Sequence, residues 1–269
     1  MNDDLEKMYL DVIEDNVNVS KTSDIKEFFI LLAGLAGIVF IVFLFTDIFS
    51  SAYISHMSDA TQMKIEHLLG TLPKDEMFSE KYKKPYTILL NSRKKIIQND
   101  KSLKSKSTFP IIIKEDEEFN AYVMPNGVIN FTTKLLDKDL TEEELTFILA
   151  HEIGHYKNRD HLKSISRQIT ATMILQLLTG GNGDMNSLVS SMSDINYLSH
   201  SRKQEINADK YASQMSILIY GNNNGGLSFF KKLEDIHKSP EFFSYFSTHP
   251  STNKRIKLLQ KYNKNLPKK

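Results

Sequence analysis

Between Glu27 and Asp47 lie nineteen consecutive uncharged residues, Phe28 to Thr46, reading FFILLAGLAGIVFIVFLFT. Thr46, at the very end, is the one residue of the run with a polar side chain. A helix of about 20 apolar residues spans a bilayer, and a soluble helix of that length needs a polar face that this run lacks. The segment therefore predicts one transmembrane helix rather than a buried core helix. Gly34 and Gly37 are compatible with that, because membrane helices tolerate glycine and use small residues for close approach. A cleaved signal peptide fits poorly, since the preceding segment is acidic and no small-x-small site follows Thr46.

The run also divides the charge. The net +1 joins a residue 1–27 tail of −5 to a remainder of +6. Lys21 and Lys26 flank the run on its N-terminal side, and the first base beyond it is Lys64. The positive-inside rule counts bases, so it places the N-terminus in the cytoplasm and the large C-terminal part on the periplasmic or extracellular side. The expected organisation is an acidic tail (1–27), a single-pass helix (28–46), a helical juxtamembrane region belonging to the same domain as the core (47–107) and the core itself (108–269).

Within 47–107, Ile48 to Leu72 has apolar residues at helical spacing up to Gly70 and Pro73, and Tyr82 to Gln98 reads as a second helix. The Lys/Ser-rich stretch Asn99 to Ser107 has no interleaved aromatics, which argues for a solvated loop and against nucleic-acid binding. Ile111 to Ile113 suggests a short strand. Phe119–Val123 and Val128–Thr132 flank Met124-Pro125-Asn126-Gly127, a hairpin signal. Thr141 followed by Glu144 forms a capping box that opens a helix with Leu145, Ile148, Leu149 and Ile153 on its apolar side. The segment Gly180 to Leu198, rich in Gly, Asn, Ser and Met, is expected to be a mobile lid or membrane-facing loop.

That capped helix carries His151-Glu152-Ile153-Gly154-His155. Positions i and i+4 lie on one helix face, so both imidazoles can reach one Zn²⁺ at about 2.0–2.1 Å. Glu152 is rotated by about 100° and stands beside the metal, where it can hold a water rather than bind the ion. A catalytic zinc needs a third protein ligand, and the chain has no cysteine to offer. Glu205 in Glu205-Ile206-Asn207-Ala208-Asp209 is the best candidate. Asp209, one turn on, can accept the second N–H of a ligand histidine. His161, His200 and His237 have no partner at ligand spacing and read as structural or surface residues.

H-E-x-x-H, then E-x-x-A-D about fifty residues on, then Ser247-Thr248-His249-Pro250 leading to Arg255, resembles the zinc metallopeptidase family of HtpX and the CAAX prenyl endopeptidases, peptidase family 48. Asn120-Ala121 with Pro125-Asn126-Gly127 and the strand to Leu136 resembles the part of that family leading to its catalytic helix. With one full-length apolar span, the chain is closest to the single-anchor quality-control branch. The resemblance implies a mostly α-helical α+β domain of the gluzincin type with a small sheet, behind one transmembrane helix. It implies one zinc per chain on His151, His155 and Glu205, and Glu152 as general base and then proton donor. It implies that Asp209 backs the ligands, that His249 stabilises an oxyanion or fills the fourth zinc position, and that Arg255 anchors its segment to a buried acid. An extended substrate is expected to pair with an edge strand of the hairpin near Asn120 to Val123, with Asn120, Ala121 and Tyr122 as the substrate-binding residues. The family usually has two glycines after the hairpin proline, where this chain has Asn126-Gly127; asparagine tolerates positive φ.

The function expected is a membrane-anchored metalloendopeptidase acting on protein or peptide substrates, membrane-associated or misfolded. A chaperone or assembly factor using the same zinc fold is the alternative, and a scaffold with an empty site a third. Nothing in the sequence indicates an oligomer.

Overall fold

The computed structural model describes residues 5, 7, 8, 23–68, 71–103, 108–178, 200–236, 243–250 and 253–264. The chain divides into two compact units, Met1–Thr46 and Asp47–Lys269. The first helix, α1 (Asp24–His56), runs through the division. It is the one helix among the described residues long and apolar enough to cross a membrane. Phe28, Leu31, Ile38 and Phe45 all stand exposed along it, as lipid-facing side chains would. Thr46 returns its hydroxyl to Val42 O at 2.8 Å, so its polarity is absorbed within the helix.

The sequence suggested a helix ending near Thr46 and a separate one from Ile48 to Leu72. Instead α1 continues to His56, because nothing between Asp47 and His56 breaks a helix. The chain breaks at Met57-Ser58, and α2 (Asp59–Leu68) starts there with Ser58 Oγ accepting from Thr61 N at 3.1 Å.

Beyond it lie β1 (Glu76–Met77), α3 (Lys83–Asn99), β2 (Ile111–Lys114), β3 (Ala121–Val123) and β4 (Ile129–Thr132). The four strands form one sheet in the order β1-β2-β4-β3, with β1, β2 and β4 parallel and β3 antiparallel at the edge. The β3–β4 hairpin closes through Gly127 N to Met124 O (2.9 Å) and Met124 N to Val128 O (2.7 Å). Pro125 leads the turn and Gly127 takes the left-handed position at φ 87°, so Asn126 is not asked to adopt positive φ. Residues 101–103, expected in a solvated loop, form a short 3₁₀ turn that buries Leu103 completely.

After a single turn, α4 (Thr133–Leu136), comes α5 (Glu142–Lys157). Thr141 and Glu144 make the reciprocal capping box. Every residue of α5 from Glu144 to Tyr156 is buried, because the helix is enclosed rather than lying on a surface. Ser92 of α3 meets Thr146 at 2.7 Å on one side. On another, α7 (Arg202–Tyr220) crosses at Gly154, where a Cβ would sit 3.1 Å from Ala208 Cα. The glycine of the motif thus lets the two helix backbones touch. The remaining helices are α6 (Asp160–Leu178), α8 (Asn224–Ile236), α9 (Phe243–Thr248) and α10 (Asn253–Lys264). Phe109, Phe119, Phe131, Phe147, Phe229 and Tyr245 are among the aromatic residues of a core shared by sheet and helices. Gly180 to Leu198 and His237 lie outside the described residues.

Candidate active site

On α5, His151 and His155 stand one turn apart with their Nε2 atoms 3.0 Å from each other. The close α5–α7 crossing brings Glu205 to them, with Oε1 3.2 Å from His155 Nε2 and Oε2 3.6 Å from His151 Nε2. His249, just past the end of α9, approaches from the far side with Nδ1 3.2 Å from Glu205 Oε1. All four residues are buried, and their inward atoms lie within 4.8 Å of one another.

Each imidazole is held from behind. His151 Nδ1 is 3.0 Å from Asp209 Oδ1, His155 Nδ1 is 3.0 Å from Asp160 Oδ2, and His249 Nε2 is 3.3 Å from the Ala121 carbonyl. The acceptors behind His155 and His249, and the Asp209 carboxylate close behind His151, favour the proton on the outward nitrogens and leave the inward ones to Glu205 and a cation. Three imidazole nitrogens and a carboxylate converging on one point form a set that a cation completes in place of the proton they otherwise share. Ligand atoms about 2.0–2.1 Å from a tetrahedral zinc lie about 3.3 Å apart, close to the spacings here. The residues present fit zinc.

The electrostatics are set by Arg255. Its Nε and Nη2 meet Asp209 Oδ2 and Oδ1 at 2.6 and 2.8 Å, and its Nη1 lies 2.7 Å from Glu205 Oε2. Burial pushes both carboxyls up, but the guanidinium more than reverses this, holding Glu205 well below the usual range and Asp209 below it. Burial likewise opposes charging of the histidines. Asp209 and Glu205 nevertheless raise His151, and Asp160 and Glu205 push His155 up to about 10.

Glu152, buried on the next face of α5, accepts a hydrogen bond from Val123 N at 3.1 Å through Oε2, and its Oε1 is 3.8 Å from His249 Nε2. The site therefore abuts the free edge of β3. Asn120 O accepts from Thr132 N at 3.1 Å, toward β4. With the period of two, Tyr122 also turns its backbone to β4, whereas Ala121 and Val123 turn theirs to the free edge. Of Asn120, Ala121 and Tyr122, only Ala121 thus offers backbone groups to a chain lying along β3, and Val123 is the second residue that does.

Two neighbours of the site lie outside its sequence motifs. Asp160 follows the second motif histidine by five residues, at the helix start after α5. His200 lies stacked on His155, ring centroids 3.8 Å apart and 11° from parallel, with its backbone N–H donating to Thr248 O at 3.0 Å. Burial drives His200 well below its ordinary pKa, so it packs as a neutral ring. Its position just before the Ser201 cap of α7 is the cue that could have found it. His161 stacks on Tyr156, and burial lowers it to about 3.

A model of peptidase family M48 matches residues 93–263. Among curated proteins the chain is similar to the mitochondrial metalloendopeptidase OMA1 of Arabidopsis thaliana, at 30% identity over 158 residues, 58% of this chain and 32% of that protein. It is similar to the mitochondrial metalloendopeptidase OMA1 of Homo sapiens, at 24% identity over 279 residues, 93% of this chain and 52% of the relative. The OMA1 of Danio rerio is 24% identical over 213 residues, 69% of this chain and 44% of the relative. The chain thus spans a third to a half of the length of these relatives. With the family model covering β2 to β4, α5, α7 and the Arg255 segment, the chain belongs to peptidase family M48.

Proposed function

We propose that this chain is a membrane-anchored metalloendopeptidase that cleaves extended segments of membrane-associated or misfolded proteins. The observation that carries this reading is the free edge of β3 running directly past Glu152 and the buried histidine–carboxylate cluster. An edge strand binds a chain through backbone groups and asks little of its sequence, which suits substrates recognised by being unfolded. The anchor is Phe28–Thr46, with the N-terminus on the cytoplasmic side and the catalytic unit opposite.

His151, His155 and Glu205 would hold the zinc, and His249 Nδ1 would be the fourth donor beside them in the resting enzyme. When bound, the metal supplies Lewis acidity that polarises the scissile carbonyl and acidifies the attacking water. Glu152 takes the proton of that water and passes it to the leaving amine, a role that contributes 10² to 10⁴-fold in comparable enzymes. Glu152 Oε1 can take that proton while Oε2 holds Val123 N–H, and letting go of that bond would free the N–H for the substrate backbone. His249 must leave Glu205 for the scissile carbonyl to enter, and its Nε2–H then stands ready to steady the developing oxyanion. Asp209 and Asp160 keep the two motif imidazoles in the tautomer that ligation needs. Arg255 ties α7 to the segment after His249 and neutralises the carboxylates it touches.

The test is Glu152→Gln in the full chain, assayed on casein with zinc content measured in parallel. Proteolysis is expected to vanish while stoichiometric zinc remains. Casein cleavage by that variant sinks the mechanism, and client binding without cleavage by the unmodified enzyme would favour a chaperone.

A further inference from the structure

Where α5 ends, the chain adopts a conformation that its sequence does not favour. Asn158 caps the helix, and Arg159 follows with φ of 56°, in the left-handed region where helices ordinarily place a glycine. Arg159 N donates to Tyr156 O at 2.9 Å, closing the turn, and Arg159 O accepts from Lys163 N at 3.2 Å, opening α6. An arginine held in that conformation implies that its side chain is needed where it is.

Arg159 is 8% exposed, and its guanidinium reaches out of the catalytic helix altogether. Its Nη1 donates to Ile54 O at 2.8 Å and to Ser55 O at 3.4 Å, both in the last turn of α1. Its Nε donates to Gln62 Oε1 at 2.6 Å and its Nη2 to Asp59 Oδ1 at 2.9 Å, both on α2. All of these residues belong to the second unit. A cation on the terminal carbonyls of a helix is also favoured by the helix dipole. Arg159 therefore straps together three helix ends: the C-termini of α1 and α5 and the N-terminus of α2.

The next residue is Asp160, 1% exposed, whose Oδ2 backs His155 Nδ1 at 3.0 Å. The backbone turn that aims this carboxylate is the turn Arg159 closes. We propose that Arg159 is a positioning residue for the metal site: by strapping the end of α1 and the start of α2 to the end of α5, it sets Asp160 against His155, so that the hold on zinc depends on how α1 terminates. This rests on His155 being a zinc ligand.

The experiment measures the zinc dissociation constant by chelator competition on the full chain in detergent, with thermal unfolding alongside. Arg159→Gly keeps the left-handed turn without strain and removes only the strap. Zinc binding should weaken by about tenfold with the fold intact, since loss of a group that orients a ligand lowers metal affinity by about 10–100-fold. Asp160→Asn should weaken it at least as much, and adding Arg159→Gly to Asp160→Asn should change nothing further. The strap can also be cut from the other side with Gln62→Leu plus Asp59→Asn, which leaves α5 untouched and should weaken zinc in the same direction. The proposal is overturned if Arg159→Gly and the Gln62/Asp59 pair both bind zinc within about twofold of the parent while Asp160→Asn binds weakly. Fully additive losses in the double variant overturn it too. His155→Ala is read separately, and stoichiometric tight zinc in that variant would refute the ligand assignment itself rather than the strap.

Discussion

Arg255 lays two nitrogens against the two carboxylate oxygens of Asp209, at 2.6 and 2.8 Å, with both residues buried. Removing one partner of a buried pair leaves the other charge uncompensated, at a cost of about 3–5 kcal/mol. Arg255→Ala should therefore lower unfolding stability by that order in denaturant titrations. Arg255→Lys should recover only part of it, because an ammonium cannot meet Asp209 with two nitrogens and Glu205 with a third. A variant as stable as the parent would show that the pair is expendable.

Gly154 is predicted to be intolerant for a steric reason. An added methyl would meet Ala208 Cα at 3.1 Å and Tyr211 at 3.3 Å, pushing α7 off α5. Gly154→Ala should destabilise by about 1–3 kcal/mol and, by moving Glu205 away from the histidines, also weaken zinc binding. Gly127→Ala, strained by its φ of 87° but remote from the ligands, should lower stability by about 1–2 kcal/mol and leave zinc affinity alone. Denaturant titration paired with chelator competition separates the two.

The raised histidines give the site a pH dependence of defined sign. His151 and His155 are raised, the latter to about 10, so protons compete with zinc for the same nitrogens and zinc affinity should fall steadily as the solution is acidified from about pH 10. In chelator-treated protein the linkage runs the other way. A raised folded-state pKa contributes stability that is complete below the unfolded value of about 6.5 and is lost as pH climbs toward about 10. The chelated enzyme should melt lower at pH 9 than at pH 6.5, and the zinc-loaded enzyme should show the opposite trend. Identical melting profiles with and without chelator would contradict this.

Val123→Pro removes the one edge N–H that Glu152 holds, without touching the ladder to β4. A single lost backbone hydrogen bond to the substrate corresponds to about tenfold in kcat/KM. Peptidase assays should show that loss with zinc content unchanged.

Much of the site could be read from the chain because local geometry dictates it. The i, i+4 spacing of His151 and His155 and of Glu205 and Asp209, the Thr141–Glu144 capping box and the Pro125–Gly127 turn each follow from a few neighbouring residues. Asp160 and His200 could not be found that way. One acts through a tight turn centred on a left-handed arginine, the other by stacking across from α5, and neither arrangement has a period. The continuation of α1 past Thr46 is not legible from charge, because a charged residue does not end a helix: Asp47 continues it, half-buried with Oδ1 3.5 Å from Arg167. The two-residue β1 is too short to leave an alternation pattern.

The edge of β3 carries one more consequence. An open strand edge beside a cleft is a template for any unpaired chain, including another copy of the same protein, and proteins that leave such edges bare tend to aggregate. Here the outward carbonyl of Ala121 and the outward N–H of Val123 are capped by His249 and Glu152. The two side chains that stand closest to the chemistry thus double as a guard on the edge. A passing segment gains a place along β3 only by taking both of them away from it, which admits a chain at the moment it presents a peptide bond to be cut.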